Sequence, residues 1–136
     1  MAGCGREGPA EPLPRACTAG PEPVLRALGA APRPVRIAGA PLSVCLARHS
    51  TGGDLQAVGT SFVGAASALA DRAAREPEGR AATQLGYLVG AVQRGASRPG
   101  GNTSGEMVRR VELELDAVDR GSHALRAGIR AGRTTG

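Results

Sequence analysis

The stretch Asp54-Leu55-Gln56-Ala57-Val58-Gly59-Thr60-Ser61-Phe62-Val63-Gly64-Ala65-Ala66-Ser67-Ala68-Leu69-Ala70-Asp71-Arg72-Ala73-Ala74-Arg75 decides the fold. At about 100° per residue, Leu55, Val58, Phe62, Ala66, Leu69 and Ala73 fall on one narrow stripe, with Thr60, Ser67, Asp71 and Arg75 opposite. Asp54 suits the N-cap, and Pro77 ends the helix near Glu76. The next segment, 79–96, repeats the pattern. Ala81, Leu85, Leu88, Val89, Val92 and Ala96 share one face, and Thr83, Tyr87 and Arg94 lie on the other.

Working outward, Arg98-Pro-Gly-Gly-Asn102 breaks the chain before a third helix, expected over 103–120. Thr103 and Glu106 have the spacing of a capping box. Met107, Val108, Val111, Leu115 and Val118 supply its apolar face. Gly121 interrupts it, and Ser122 caps a short last helix with Leu125 and Ile129 inward. Residues 132–136 are expected to fray. Upstream, Leu42, Cys45, Leu46 and His49 recur at helical spacing over 41–49, behind Pro41. Val35-Arg-Ile37 alternates like a strand but has no obvious partner.

The sequence therefore reads as all-α: a small bundle of three main helices with short flanking helices, spanning 35–131. Residues 1–34 form a Pro/Gly-rich head. Within its first 23 residues Met1 and Leu13 are the only large apolar side chains, too few to offset backbone entropy, so disorder is expected there. The chain has 136 residues, including 21 Gly and 10 Pro, one Phe, one Tyr and no Trp. Any core must be built from Leu, Val and Ala, and a homodimer that buries leftover apolar surface is expected.

Charge narrows the function classes. Seventeen basic residues, all of them Arg, stand against 12 acidic ones, for a net charge of +5. An excess this mild, mixed with acids and rich in Ala and Gly, reads as compositional bias before it reads as nucleic-acid binding. The longest uncharged window, 55–70, is too short and too polar for a membrane span. Three cysteines with no C-x-x-C spacing argue against a disulfide framework, so a reducing, cytoplasmic location is expected.

Candidate sites are few. Cys45 and His49 could offer two ligands, but zinc needs three or four, so a buried thiol is the expectation and no metal is assigned. His49-Ser-Thr-Gly-Gly-Asp54 lies before a helix start, yet Asp54 would repel an anion there. The chain contains no G-x-x-x-x-G-K-[ST], and no cofactor is assigned. Gly86-Tyr-Leu-Val-Gly90, extended back to Ala82, is a G-x-x-x-G flank. Two interior glycines cost about 1 kcal/mol each against Ala, which a close backbone approach would offset. Ala82, Gly86, Tyr87 and Gly90 are therefore the candidate partner interface. Arg120, Arg126, Arg130 and Arg133, beside His123, form a basic C-terminal end with no acid after Asp119. The reading is a non-catalytic helical interaction or accessory protein that self-associates or binds another protein. A nucleic-acid-associated regulator using the arginines is the alternative.

Overall fold

The computed structural model describes residues 13–47, 52–97 and 104–136. Residues 1–12, His49 and Thr103, with the readings attached to them, lie outside the described residues. The described chain is all-α. Its helices are α1 (Pro21–Ala27), α2 (Val44–Ala47), α3 (Gly52–Arg75), α4 (Arg80–Ala96), α5 (Ser104–Leu113) and α6 (His123–Thr135). None of them is long and apolar enough to cross a membrane.

The helix α3 follows its sequence pattern: Val58, Phe62, Ala66, Leu69 and Ala73 are buried and Thr60 and Ser67 are exposed. It begins at Gly52 and places Asp54 in the first turn rather than at the cap. The tight turn Glu76–Gly79 then folds α4 back against it, with the Gly79 N–H donating to the Glu76 carbonyl at 2.9 Å. Leu85, Leu88, Val89 and Val92 on α4 enter the same core.

The folded unit begins earlier than the 35–131 boundary. Residues 13–34, assigned by composition to the head, contribute a 3₁₀ turn at Arg15–Cys17, helix α1 and a second 3₁₀ turn at Leu28–Ala30. Pro21 and Pro23 sit in the first turn of α1, where a missing N–H costs nothing. Val24 and Leu28 are fully buried, and α1 packs on α3. The Gly20 N–H donates to the Ser61 hydroxyl at 3.0 Å, which fixes the entry to α1. Few apolar residues suffice here because each one reaches the core.

Val35-Arg-Ile37 does find a strand partner. Strand β1 (Arg36–Ile37) pairs antiparallel with β2 (Ala40–Pro41) across the two-residue turn Ala38-Gly39. Both turn residues have positive φ, 50° and 79°, as a type I′ hairpin requires. Ala is an uncommon residue there, which hid the hairpin from a sequence reading. Pro41 ends a strand and so does not open the expected 41–49 helix. Its remnant is α2.

Two cysteines overturn an expectation. Cys17 and Cys45 form a disulfide, with Cα atoms 5.6 Å apart. Both are buried, so the bond staples the turn before α1 to α2 inside the core. Sequence spacing could not show this, because the residues meet only once the 13–34 segment docks.

The C-terminal region also differs. The third helix, expected over 103–120, stops at Leu113 and tightens into a 3₁₀ turn, Glu114–Ala117. Residues 132–136 do not fray: α6 runs to Thr135, and Gly132 and Gly136 are buried. The closest helix pair is α4 with α6 rather than any pair among the three main helices. The pair runs parallel, because Gly86 faces Gly128 and Gly90 faces Gly132. The α5 segment is the return crossover between them.

Candidate functional site

The flank Ala82-Gly86-Gly90 meets another backbone, but that backbone belongs to the same subunit. A Cβ at Gly86 would overlap the Leu125 carbonyl and come within 2.9 Å of the Ile129 nitrogen. At Gly90 it would overlap the Ile129 carbonyl and lie 2.8 Å from the Arg133 nitrogen. The contact is reciprocal: Cβ atoms at Gly128 and Gly132 would overlap the Thr83 and Tyr87 carbonyls. Two G-x-x-x-G ladders therefore interlock, and α6 occupies the face assigned to a partner.

Tyr87 is corrected in the same way. Periodicity predicts it on the wet face of α4, and it is fully buried under α6. Its hydroxyl accepts from the Val35 N–H at 3.0 Å and lies 2.8 Å from the Thr135 Oγ1. Thr135 in turn donates to the Ala131 carbonyl at 3.0 Å. Tyr87 thus ties the β1 segment, α4 and the end of α6 together, with every polar atom satisfied. Among the described residues the three other buried polar side chains are similarly committed. Ser43 donates to the Gly136 carbonyl, Ser61 to the Ala57 carbonyl, and Ser122 to the Pro77 carbonyl.

Both ends of α6 are electrostatically held. At its N-terminus Ser122 caps by accepting from the Leu125 N–H, and the Glu78 carboxylate accepts from the N–H groups of His123 and Ala124 at 3.1 and 2.9 Å. The Ala124 N–H, followed by the His123 N–H and the Ser122 hydroxyl, lowers the Glu78 carboxyl pKa from its ordinary value, against a partial loss of hydration that opposes it. At the C-terminus the Arg94 guanidinium donates to the Thr134 and Arg133 carbonyls. An acid at the positive end and a base at the negative end both suit the helix dipole.

A pH dependence follows from Glu78. Because its folded-state pKa is lowered, its contribution is fully present above the usual carboxylate pKa and is lost as pH falls through the lowered value. Melting temperature is expected to fall on acidification through that window, and Glu78→Gln should flatten that part of the profile. An unchanged profile in the variant would remove Glu78 from the account.

The four C-terminal arginines are not one patch. Arg120 sits before α6 and pairs with Asp116 at 2.8 Å. Arg126, Arg130 and Arg133 lie within about 60° of one another around α6. They face solvent on the side opposite Gly128 and Gly132, and His123 is exposed beside them. Arg133 Nε donates to Gln93 Oε1 at 2.7 Å, and Arg126 Nε reaches the Arg120 carbonyl at 3.4 Å. The Arg130 guanidinium has no hydrogen bond or ion pair among the described residues. Helix α6 contains no acid. The outer face of α6 is thus a short basic stripe on a rigid support, able to hold anionic groups.

Among the described residues no three His, Cys, Asp or Glu side chains come together as a metal site, and Cys45 is committed to its disulfide. The sequence reading missed a second cationic cluster, Arg72, Arg75 and Arg80, where α3 ends and α4 begins. The signal was present as three arginines on both sides of one tight turn. No protein-family model, curated protein or solved structure matches the chain.

Proposed function

We propose that this chain is a non-catalytic helical interaction protein that docks an acidic protein partner on the outer face of α6. The observation that carries the reading is the stripe Arg126, Arg130 and Arg133, exposed on a helix that has no acid and whose opposite face is locked onto α4. A preorganised helix holds cations without having to order itself on binding. The stripe runs roughly 10 Å from Arg126 to Arg133, which suits a few carboxylates on a partner helix better than the length of a duplex. Self-association through the Ala82–Gly90 flank is replaced in this reading, because α6 covers that surface. Among the described residues Leu113 is the exposed large apolar side chain, so charge rather than apolar burial drives the contact. The buried disulfide favours an oxidising compartment over the cytoplasm.

Binding of a labelled polyglutamate peptide and of a random DNA duplex, followed by anisotropy across a salt series, tests this. The peptide is expected to bind, and Arg126→Gln with Arg130→Gln should weaken it roughly five- to tenfold, as exposed pairs allow. Preferential duplex binding with a steep salt slope would establish the nucleic-acid alternative instead. No binding to either ligand at low salt would defeat both.

A further inference from the structure

We propose that the cleft where α3 ends and α4 begins is an anion site for a small molecule bearing phosphate. Its walls are Arg72, Arg75, Glu76, Arg80, Ala81 and Gln84, around a volume of about 450 Å³. That is within the usual size range of small-molecule sites, roughly 300–1,000 Å³. Three guanidiniums face one carboxylate. Arg72 and Arg75 each have an acid at the i, i+4 spacing that ordinarily pairs, Glu76 just past the end of α3 and Asp71 within it. Neither pair forms, and among the described residues neither arginine makes an ion pair or hydrogen bond.

The arrangement around them favours an anion. Arg80 is fixed by donating to the Gly29 carbonyl at 2.8 Å, so one guanidinium is preorganised. The N-cap of α4, Gly79, offers no side-chain acceptor, and no acid stands in the first turn of that helix. The positive end of α4 therefore adds to the arginines. Glu76 turns toward the connecting loop, with its Oε2 3.1 Å from where a Gly79 Cβ would stand. Guanidinium forks match phosphate oxygens in pairs. The Gln84 amide supplies a donor and an acceptor for the rest of the ligand. The site shares no residue with the α6 face, so it does not rest on that assignment.

The probe is inorganic pyrophosphate, titrated into the full chain at constant ionic strength and followed by calorimetry and thermal melts. Saturable binding is expected. Arg72→Gln and Arg75→Gln should each weaken it about fivefold, the scale of an exposed charge-assisted contact. Arg130→Gln should leave it unchanged. Glu76→Gln should tighten it by removing the opposing charge, an outcome that a merely structural carboxylate would not produce. All four side chains are exposed, and the melt of each variant without pyrophosphate reports an intact fold. Absence of saturable binding, or an equal loss in Arg130→Gln, overturns the site. Loss of polyglutamate binding in the α6 variants with pyrophosphate binding retained would separate the two surfaces.

Discussion

Gly90→Leu is expected to lower stability by at least about 3 kcal/mol, despite the better helix propensity of leucine. Propensity alone would favour the change by about 1 kcal/mol. A side chain at Gly90, however, has nowhere to go. Its Cβ would overlap the Ile129 carbonyl and press to 3.0 Å from the Gly132 carbonyl carbon. Overpacking ordinarily costs about 1–3 kcal/mol because neighbouring side chains rotate aside. Here the neighbours are backbone atoms of α6, so relief requires the helix to move. Moving α6 would break the Tyr87–Thr135 contact and the Arg94 cap together. Gly132→Leu should act alike, since its Cβ would overlap the Tyr87 carbonyl. Gly105→Ala is the control, because a Cβ there meets nothing within 4 Å. It should be neutral or stabilise by up to about 1 kcal/mol. Thermal melts at two protein concentrations check this. Losses independent of concentration place the contact inside the subunit, whereas a rise in melting temperature for Gly90→Leu would refute close packing.

The G-x-x-x-G flank shows how far the sequence carried. Two glycines inside a helix need a compensating approach, and that much was readable from Gly86 and Gly90. Which backbone approaches was not, because the matching Gly128 lies in a last helix expected to be short and Gly132 in a tail expected to fray. Packed on α4, Gly128 and Gly132 sit inside a helix that runs to Thr135. Tyr87 failed for a related reason. Its angle around α4 opposes the Leu/Val stripe, so a one-sided helix would leave it wet. The helix α4 is buried on two sides, against α3 and against α6, and a periodicity reading assumes one. The apolar stripe of α3, with Thr60 exposed and Val58 and Phe62 buried, came through because that helix does bury one side. At the candidate site, the Arg126 and Arg130 spacing was legible, and so was the i, i+4 spacing of Asp116 and Arg120, whereas the convergence of Arg72, Arg75 and Arg80 on one cleft depended on tertiary geometry.

Removing the Cys17–Cys45 bond should cost about 3–4 kcal/mol, because the closed loop spans a sequence separation of 28 residues and its closure restricts the unfolded chain. In a domain this small that is a large share of a total of about 5–15 kcal/mol. A drop in melting temperature of roughly 10–20 °C is expected for Cys17→Ser with Cys45→Ser, and for the native chain in reductant. Cys4 has no part in that bond, so Cys4→Ser should leave the melt unchanged. Alkylation of the denatured chain gives an independent reading: one cysteine should react before reduction and all three after it. Three reactive thiols in protein recovered without reductant would remove the bond and, with it, the argument for an oxidising compartment. The position of the bond is what gives that argument weight. Both cysteines are buried against the core, and Cys17 lies in the one turn that leads the 13–34 segment onto α3. In a reducing environment that segment would be held by the burial of Val24, Leu28 and Ala31 and by the Gly20–Ser61 and Arg80–Gly29 hydrogen bonds. The segment carries few large apolar side chains, so the covalent tie stabilises the docking where hydrophobic burial is scarce.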